Sequence, residues 1–189
     1  MIKKTLCLSA LFLTMALQAQ ELVKCSPDKT FWLIKEGGKN YAIALPGEVK
    51  ESNHAKIITV GGKVLQYLVV DKKQHEEKAG STDDLKVLIS FVTGETAYLS
   101  GQFTKELQTT MEVIKLKDGR KAIYWGYKMP EGTAKEVEMQ HFLNVVEGDK
   151  IFGLASTQFT GDNASAIKQL LTDGLNSLAV VKDGKNLCK

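Results

Sequence analysis

Residues 137–159 read VEMQHFLNVVEGDKIFGLASTQF, and the fold turns on how this stretch is parsed. Val137 to Val146 and Ile151 to Phe159 are apolar-rich runs on either side of Gly148-Asp149. In the first run Val137, Met139, His141, Leu143 and Val145 recur every second residue, the period of a strand with one buried face. Glycine enters positive φ without a Cβ clash, so a Gly-containing pair between two such runs reverses the chain tightly. An antiparallel hairpin is the expectation.

The same grammar extends outward. Phe31 to Lys35 and Tyr41 to Leu45 surround Gly37-Gly38-Lys39-Asn40; Ile57 to Val60 and Val64 to Val70 flank Gly61-Gly62; Val113 to Leu116 and Ala122 to Met129 flank Asp118-Gly119. Together these spacings predict four hairpins. Leu85, Val87, Ile89 and Phe91 also alternate, which predicts a further strand. Two stretches depart from the period of two. In Thr96 to Thr110, Leu99, Phe103 and Leu107 recur at four-residue spacing. In Asn163 to Val180, Ile167, Leu170, Leu171, Leu175 and Leu178 form an apolar stripe, with Asp162 or Asn163 placed to cap free backbone N–H groups. Amphipathic helices need a surface to cover, and an antiparallel sheet offers one dry face. The expected fold class is α+β: a largely antiparallel twisted sheet built from hairpins, with a middle helix and a long C-terminal helix packed on it.

Residues 1–19 read as an export signal. Lys3 and Lys4 precede an apolar run from Leu6 to Leu17, and Ala19 supplies a small residue for cleavage. The run is shorter than the roughly 20 apolar residues a membrane-spanning helix needs, so removal is expected, with an uncleaved anchor as the alternative. Neither Cys7, inside the run, nor Cys25, behind Leu22-Val23-Lys24, suits lipoprotein processing. The remainder, 20–189, has apolar residues throughout and no Pro/Ser-rich linker, and is read as one domain of ordinary size in the periplasm or outside the cell, with no membrane span. Setting aside Lys3 and Lys4, 25 basic residues against 22 acidic ones reduce to a formal +1, which disfavours nucleic-acid binding through a general basic field. Two cysteines follow the leader, Cys25 and Cys188, one near each end. In an oxidising compartment a disulfide is the expected pairing; the other reading is a redox pair, although such pairs usually sit close in sequence.

The order of pieces resembles the PsbP-like superfamily, which includes the extrinsic photosystem II subunit, a nuclear import factor that binds the GTPase Ran, and bacterial periplasmic DcrB-like proteins. The resemblance is carried by Tyr41-Ala-Ile-Ala-Leu-Pro46-Gly47, by Val87 to Phe91, by the hairpin around Asp118-Gly119, and by Gly148-Asp149-Lys150-Ile151-Phe152 through Phe159 with the helix that follows. It implies a fold and carries over no functional residue, since these proteins bind very different partners.

Candidate chemistry is sparse. His54, His75 and His141 share no metal-ligand spacing, and no metal or cofactor is expected. His54 and His75 fall in polar connecting segments, the latter within a mixed-charge stretch from Asp71 to Asp84 that reads as a solvated loop. His141 lies in phase with the strand's apolar residues, and a hydrogen-bonded histidine in or beside the core competes with a catalytic base. Ser26-Pro-Asp-Lys29 fits Ser-x-x-Lys without the remaining motifs of penicillin-binding proteins, and no nucleophile elbow, P-loop, Rossmann fingerprint or His-Glu-x-x-His occurs. No catalytic residue is assigned. Tyr124, Trp125 and Tyr127 crowd one predicted strand, with Trp125 and Tyr127 on one face and Tyr124 on the other. Trp125, Tyr127 and His141 are the candidate ligand or partner patch. Two functional classes stand: a non-enzymatic envelope module that binds a protein, peptide or small apolar ligand, and a hydrolase or redox enzyme with an unfamiliar site near His141 or the cysteines.

Overall fold

The structure, a computed structural model, describes residues 20–54, 56–132 and 136–189; residues 1–19, read above as an export signal, fall outside them. In chain order the elements are β1 (Gln20–Ser26), β2 (Lys29–Glu36), β3 (Lys39–Pro46), β4 (Val49–Glu51), β5 (Ile57–Val60), β6 (Lys63–Asp71), α1 (Lys73–Ala79), α2 (Asp84–Phe103), β7 (Thr109–Lys115), β8 (Lys121–Lys128), β9 (Val137–Glu147), β10 (Lys150–Phe159), α3 (Ala164–Asn176) and β11 (Ala179–Val181). All four predicted hairpins form, as β2–β3, β5–β6, β7–β8 and β9–β10. Gly37, Gly61, Gly119 and Gly148 occupy positive φ at their turns, where an L side chain would clash.

The strands divide into two antiparallel sheets. A seven-stranded sheet runs β4-β5-β6-β10-β9-β8-β7, and a four-stranded sheet runs β1-β2-β3-β11. One face of the large sheet meets the small sheet and α3, enclosing a core that includes Trp32, Ile43, Tyr67, Phe152, Leu154 and Leu171. The opposite face is covered by α2, over β8 and β9, and buries Val87, Phe91, Ile123 and Trp125. Because opposite faces of one sheet feed different cores, β8 and the second half of β9 are buried almost continuously rather than in alternation.

Four expectations are corrected. The stretch Leu85 to Phe91 is helical, within α2: the buried residues are Val87, Leu88, Phe91 and Val92, a helical stripe, while Ile89 is 39% exposed. Asp83 caps this helix by accepting from the Lys86 backbone N–H at 3.0 Å. The middle helix therefore begins earlier than Thr96, and it ends at Phe103 because Thr104 adopts a left-handed cap; Leu107 is buried but not helical, and Thr109 opens β7. The stretch Asp71 to Asp84 contains α1 rather than only loop, and His75 on it sets its ring edge against Phe91, centroids 5.1 Å apart. The C-terminal helix stops at Asn176, and Ala179–Val181 pairs with β3.

Cys25 and Cys188 form a disulfide, Cα atoms 5.1 Å apart. The bridge holds the segment after β11 over the outer face of the small sheet, where Gly184 packs against Leu33 and Val23 closely enough that a Cβ would lie 3.1 Å from Leu33 Cδ2. Leu33 is thereby 1% exposed although it points away from the main core.

Candidate functional site

The strand register separates the predicted patch. Residues directly opposite in an antiparallel pair share a face. Trp125 lies opposite Phe142, and Tyr127 opposite Gln140, all on the α2 face; His141 lies opposite Gly126 and Ser156, on the α3 face with Tyr124 and Leu143. Trp125 and Tyr127 therefore come together, as their spacing indicated, and His141 does not join them. Trp125 is 2% and Tyr127 6% exposed, both stacked on Phe142 at 4.2 and 5.9 Å between centroids.

His141 is 3% exposed and uses both ring nitrogens. Nε2 meets Gln158 Oε1 at 2.7 Å, and Gln158 Nε2 donates to Glu138 Oε2 at 2.9 Å. An amide oxygen only accepts, so the proton of the neutral ring sits on Nε2 and Nδ1 accepts from the Tyr124 hydroxyl at 2.7 Å. Burial pushes the Tyr124 phenol up to about 12, so it remains a donor. This is a satisfied core histidine: it stands beside a hydroxyl, both ring nitrogens are engaged, and among the described residues no carboxylate hydrogen-bonds to it.

The α2 face carries a different arrangement. α2 lies over β8 and β9 and leaves β6 and β10 partly open, so Leu68 is 36% exposed there. Two small residues on β10, Gly153 and Ala155, lower the sheet floor beside the helix. The result is a pocket of about 180 Å3 between α2 and four strands, walled by Leu68, Phe91, Trp125 and Phe142. Asn144 lines it as well and is 2% exposed, a buried polar side chain among mostly apolar walls.

Trp125 fixes how that amide is oriented. An indole N–H can only donate, and Trp125 Nε1 lies 2.7 Å from Asn144 Oδ1. The amide nitrogen is thus turned toward Gly153, its partner across the β9–β10 ladder. A Cβ on Gly153 would fall inside the closest approach that real Cβ atoms make to other atoms, here Asn144 Nδ2, so only glycine leaves this hollow open. Among the described residues Nδ2 meets no acceptor. One helical turn beyond Phe91, Glu95 also lines the pocket; among the described residues it makes neither hydrogen bond nor ion pair. Burial raises its carboxyl above the ordinary glutamate range, and the charge of Lys78 on α1 opposes the shift.

Asn144, Gly153 and Glu95 do not stand out in the sequence as site residues, although the hairpin turn at Gly148-Asp149 could have revealed the first two: counting three residues out from each end of the ladder beside it pairs Asn144 with Gly153. A larger hollow of about 360 Å3 lies on the other side of α2, toward β7, and is lined by hydroxyls such as Thr93, Thr96 and Thr109. It offers no comparably buried amide. Among the described residues no group of three or more His, Cys, Asp or Glu side chains could hold a metal ion.

Two layers on either side of a twisted antiparallel sheet, with the C-terminal helix sharing one face with a smaller sheet, define a PsbP-like α+β fold. The solution structure of cyanobacterial PsbP (CyanoP) from Synechocystis sp. PCC 6803 is similar, with a TM-score of 0.53 over 82% of this chain and 94% of that one. At 11% sequence identity the likeness is one of fold. No family model matches the chain, and no curated protein matches it.

Proposed function

We propose that this chain is an exported, non-enzymatic binding module of the cell envelope that holds a small apolar ligand in the pocket between α2 and the large sheet. The character of residues 1–19 and a disulfide joining the two ends of the domain support export. Binding rests on one observation: the amide nitrogen of Asn144, a residue 2% exposed, borders a largely apolar pocket and has no acceptor among the described residues. That nitrogen can donate to a ligand oxygen entering the pocket, a hydrogen bond worth about 0.5–1.5 kcal/mol net. The volume suits one ring, since an apolar cavity of about 150 Å3 accepts benzene.

The test is a titration of the purified protein with 4-ethylphenol, followed by the indole N–H resonances of its two tryptophans. Trp125 borders the pocket, whereas Trp32 lies in the opposite core and serves as the internal control. A saturable shift of the Trp125 signal, lost when Ala155→Leu fills the pocket, is the expected result. Equal movement of both signals, or no movement at millimolar probe, would count against the pocket as a site.

A further inference from the structure

The pocket carries information about charge as well as size, and the following inference rests on the binding reading above. Three polar side chains line the pocket, Gln66, Glu95 and Asn144; Gln66 is exposed, and among the described residues neither Asn144 Nδ2 nor the more sheltered Glu95 carboxylate has a hydrogen-bond or ion-pair partner. Asn144 presents an amide donor from β9 at the floor, held in place by Trp125. Glu95 presents a carboxylate from α2, the element that forms the opposite wall, and is less deeply buried than Asn144. The groups that face Glu95 from neighbouring elements leave it uncompensated: Lys78 of α1 is close enough to be felt electrostatically but forms no ion pair with it, and the strand residues lining the pocket, among them Gln66, Trp125 and Asn144, are uncharged. Apart from the exposed Gln66, the walls between Asn144 and Glu95 are aromatic or aliphatic.

A neutral hydrocarbon would fill this space and leave both polar groups unanswered. A ligand anion would meet the carboxylate of Glu95. The complementary molecule has an oxygen at one end, a flat apolar body, and a cation at the other end. We propose that the pocket selects a small aromatic amine, with a hydroxyl or carbonyl oxygen accepting from Asn144 Nδ2, the ring between Phe91 and the strand side chains, and the ammonium paired with Glu95 at the rim.

Three probes of nearly equal size separate the parts of this proposal. Tyramine has hydroxyl, ring and amine; 4-ethylphenol lacks the amine; phenethylamine lacks the hydroxyl. A charge-assisted contact at a partly desolvated rim corresponds to about a tenfold difference in affinity. Tyramine is therefore expected to bind about tenfold more tightly than 4-ethylphenol, read from the Trp125 indole signal. Glu95→Gln should erase that advantage, so that tyramine and 4-ethylphenol bind the variant with similar affinity, and an unchanged Trp32 indole signal reports that the variant is folded. Phenethylamine should bind more weakly than tyramine in both proteins, through loss of the Asn144 contact. If tyramine and 4-ethylphenol bind alike and Glu95→Gln alters neither, the pocket remains a ligand site and the amine inference is overturned. If none of the three probes moves the Trp125 signal, the site and the ligand class fall together.

Discussion

Replacing Gly153 by alanine tests the construction of the pocket floor directly. The added methyl would fall on Asn144 Nδ2, with Leu68 Cβ 3.6 Å away on another side, so the group has no open direction. One response is for Asn144 to swing away. Trp125 Nε1 then loses its acceptor at 2.7 Å inside a residue 2% exposed, at about 1–3 kcal/mol for an orphaned buried donor. The other response is for the β9–β10 ladder to give way, and overpacking costs about the same. Alanine's lower backbone entropy cost returns about 0.5–1 kcal/mol, so Gly153→Ala should destabilise by about 2 kcal/mol. Asn144→Ala alone should cost about 1–3 kcal/mol for the same orphaned indole N–H. In the double variant nothing remains for the methyl to strike, so it should be no less stable than Asn144→Ala. The two changes should then couple by about 2 kcal/mol, well beyond the ~0.5 kcal/mol within which independent sites add. Urea unfolding followed by far-ultraviolet circular dichroism measures all three without relying on Trp125 itself. Additive effects would refute the account of Gly153 as the residue that makes room for the amide.

Two further outcomes follow from the same structure. Removing the Cys25–Cys188 bridge by Cys→Ser at both positions should lower stability by up to about 5 kcal/mol for a loop of 163 residues in the chain-entropy model; thermal unfolding of the oxidised protein against the double variant checks this, and equal midpoints would contradict it. Glu95 supplies a pH test. Its folded-state carboxyl is raised by burial, against the opposing charge of Lys78, so the folded chain holds this proton more tightly than the unfolded chain, and its contribution to stability declines as pH rises from the ordinary glutamate range through the raised value. Glu95→Gln should accordingly be more stable than the parent near pH 7 and match it at about pH 4, measured by urea unfolding at both pH values; a deficit at pH 7 would show that the carboxylate has a stabilising partner.

The hairpins were legible because their cause is local. Gly61-Gly62, Asp118-Gly119 and Gly148-Asp149 dictate chain reversal from within a few residues, and the runs beside them have nowhere to go but back along themselves. The register then follows, and with it the division of Tyr124 from Trp125 and Tyr127. Where local signals conflict, tertiary burial decides. Leu85, Val87, Ile89 and Phe91 satisfy a period of two, yet Leu88 and Val92 between and beyond them also seek burial, and a helix capped by Asp83 buries Val87, Leu88, Phe91 and Val92 on one side. The short strands β4 and β11 carry too few residues for any period to register; β11 exists because Ala179–Val181 finds an open edge on β3, a partner more than a hundred residues away.

The candidate site was harder to read for a different reason. Sequence patterns mark chemistry when reactive residues recur at a spacing that one element imposes, as in a metal-binding helix or a phosphate loop. Here the polar groups come one from each element: Asn144 from β9 and Glu95 from α2, with the opening between them created by what Gly153 lacks. Each has an ordinary explanation in isolation, as a stray amide in a strand, a charge on a helix and a glycine in a sheet. What connects them is the ladder that places Asn144 opposite Gly153 and the offset of α2 toward β8 and β9, which together bring a buried amide donor and a carboxylate to one largely apolar pocket. Trp125, placed from sequence in a candidate ligand or partner patch, takes part in another way. It is nearly inaccessible, and its indole N–H decides which end of the Asn144 amide the pocket presents.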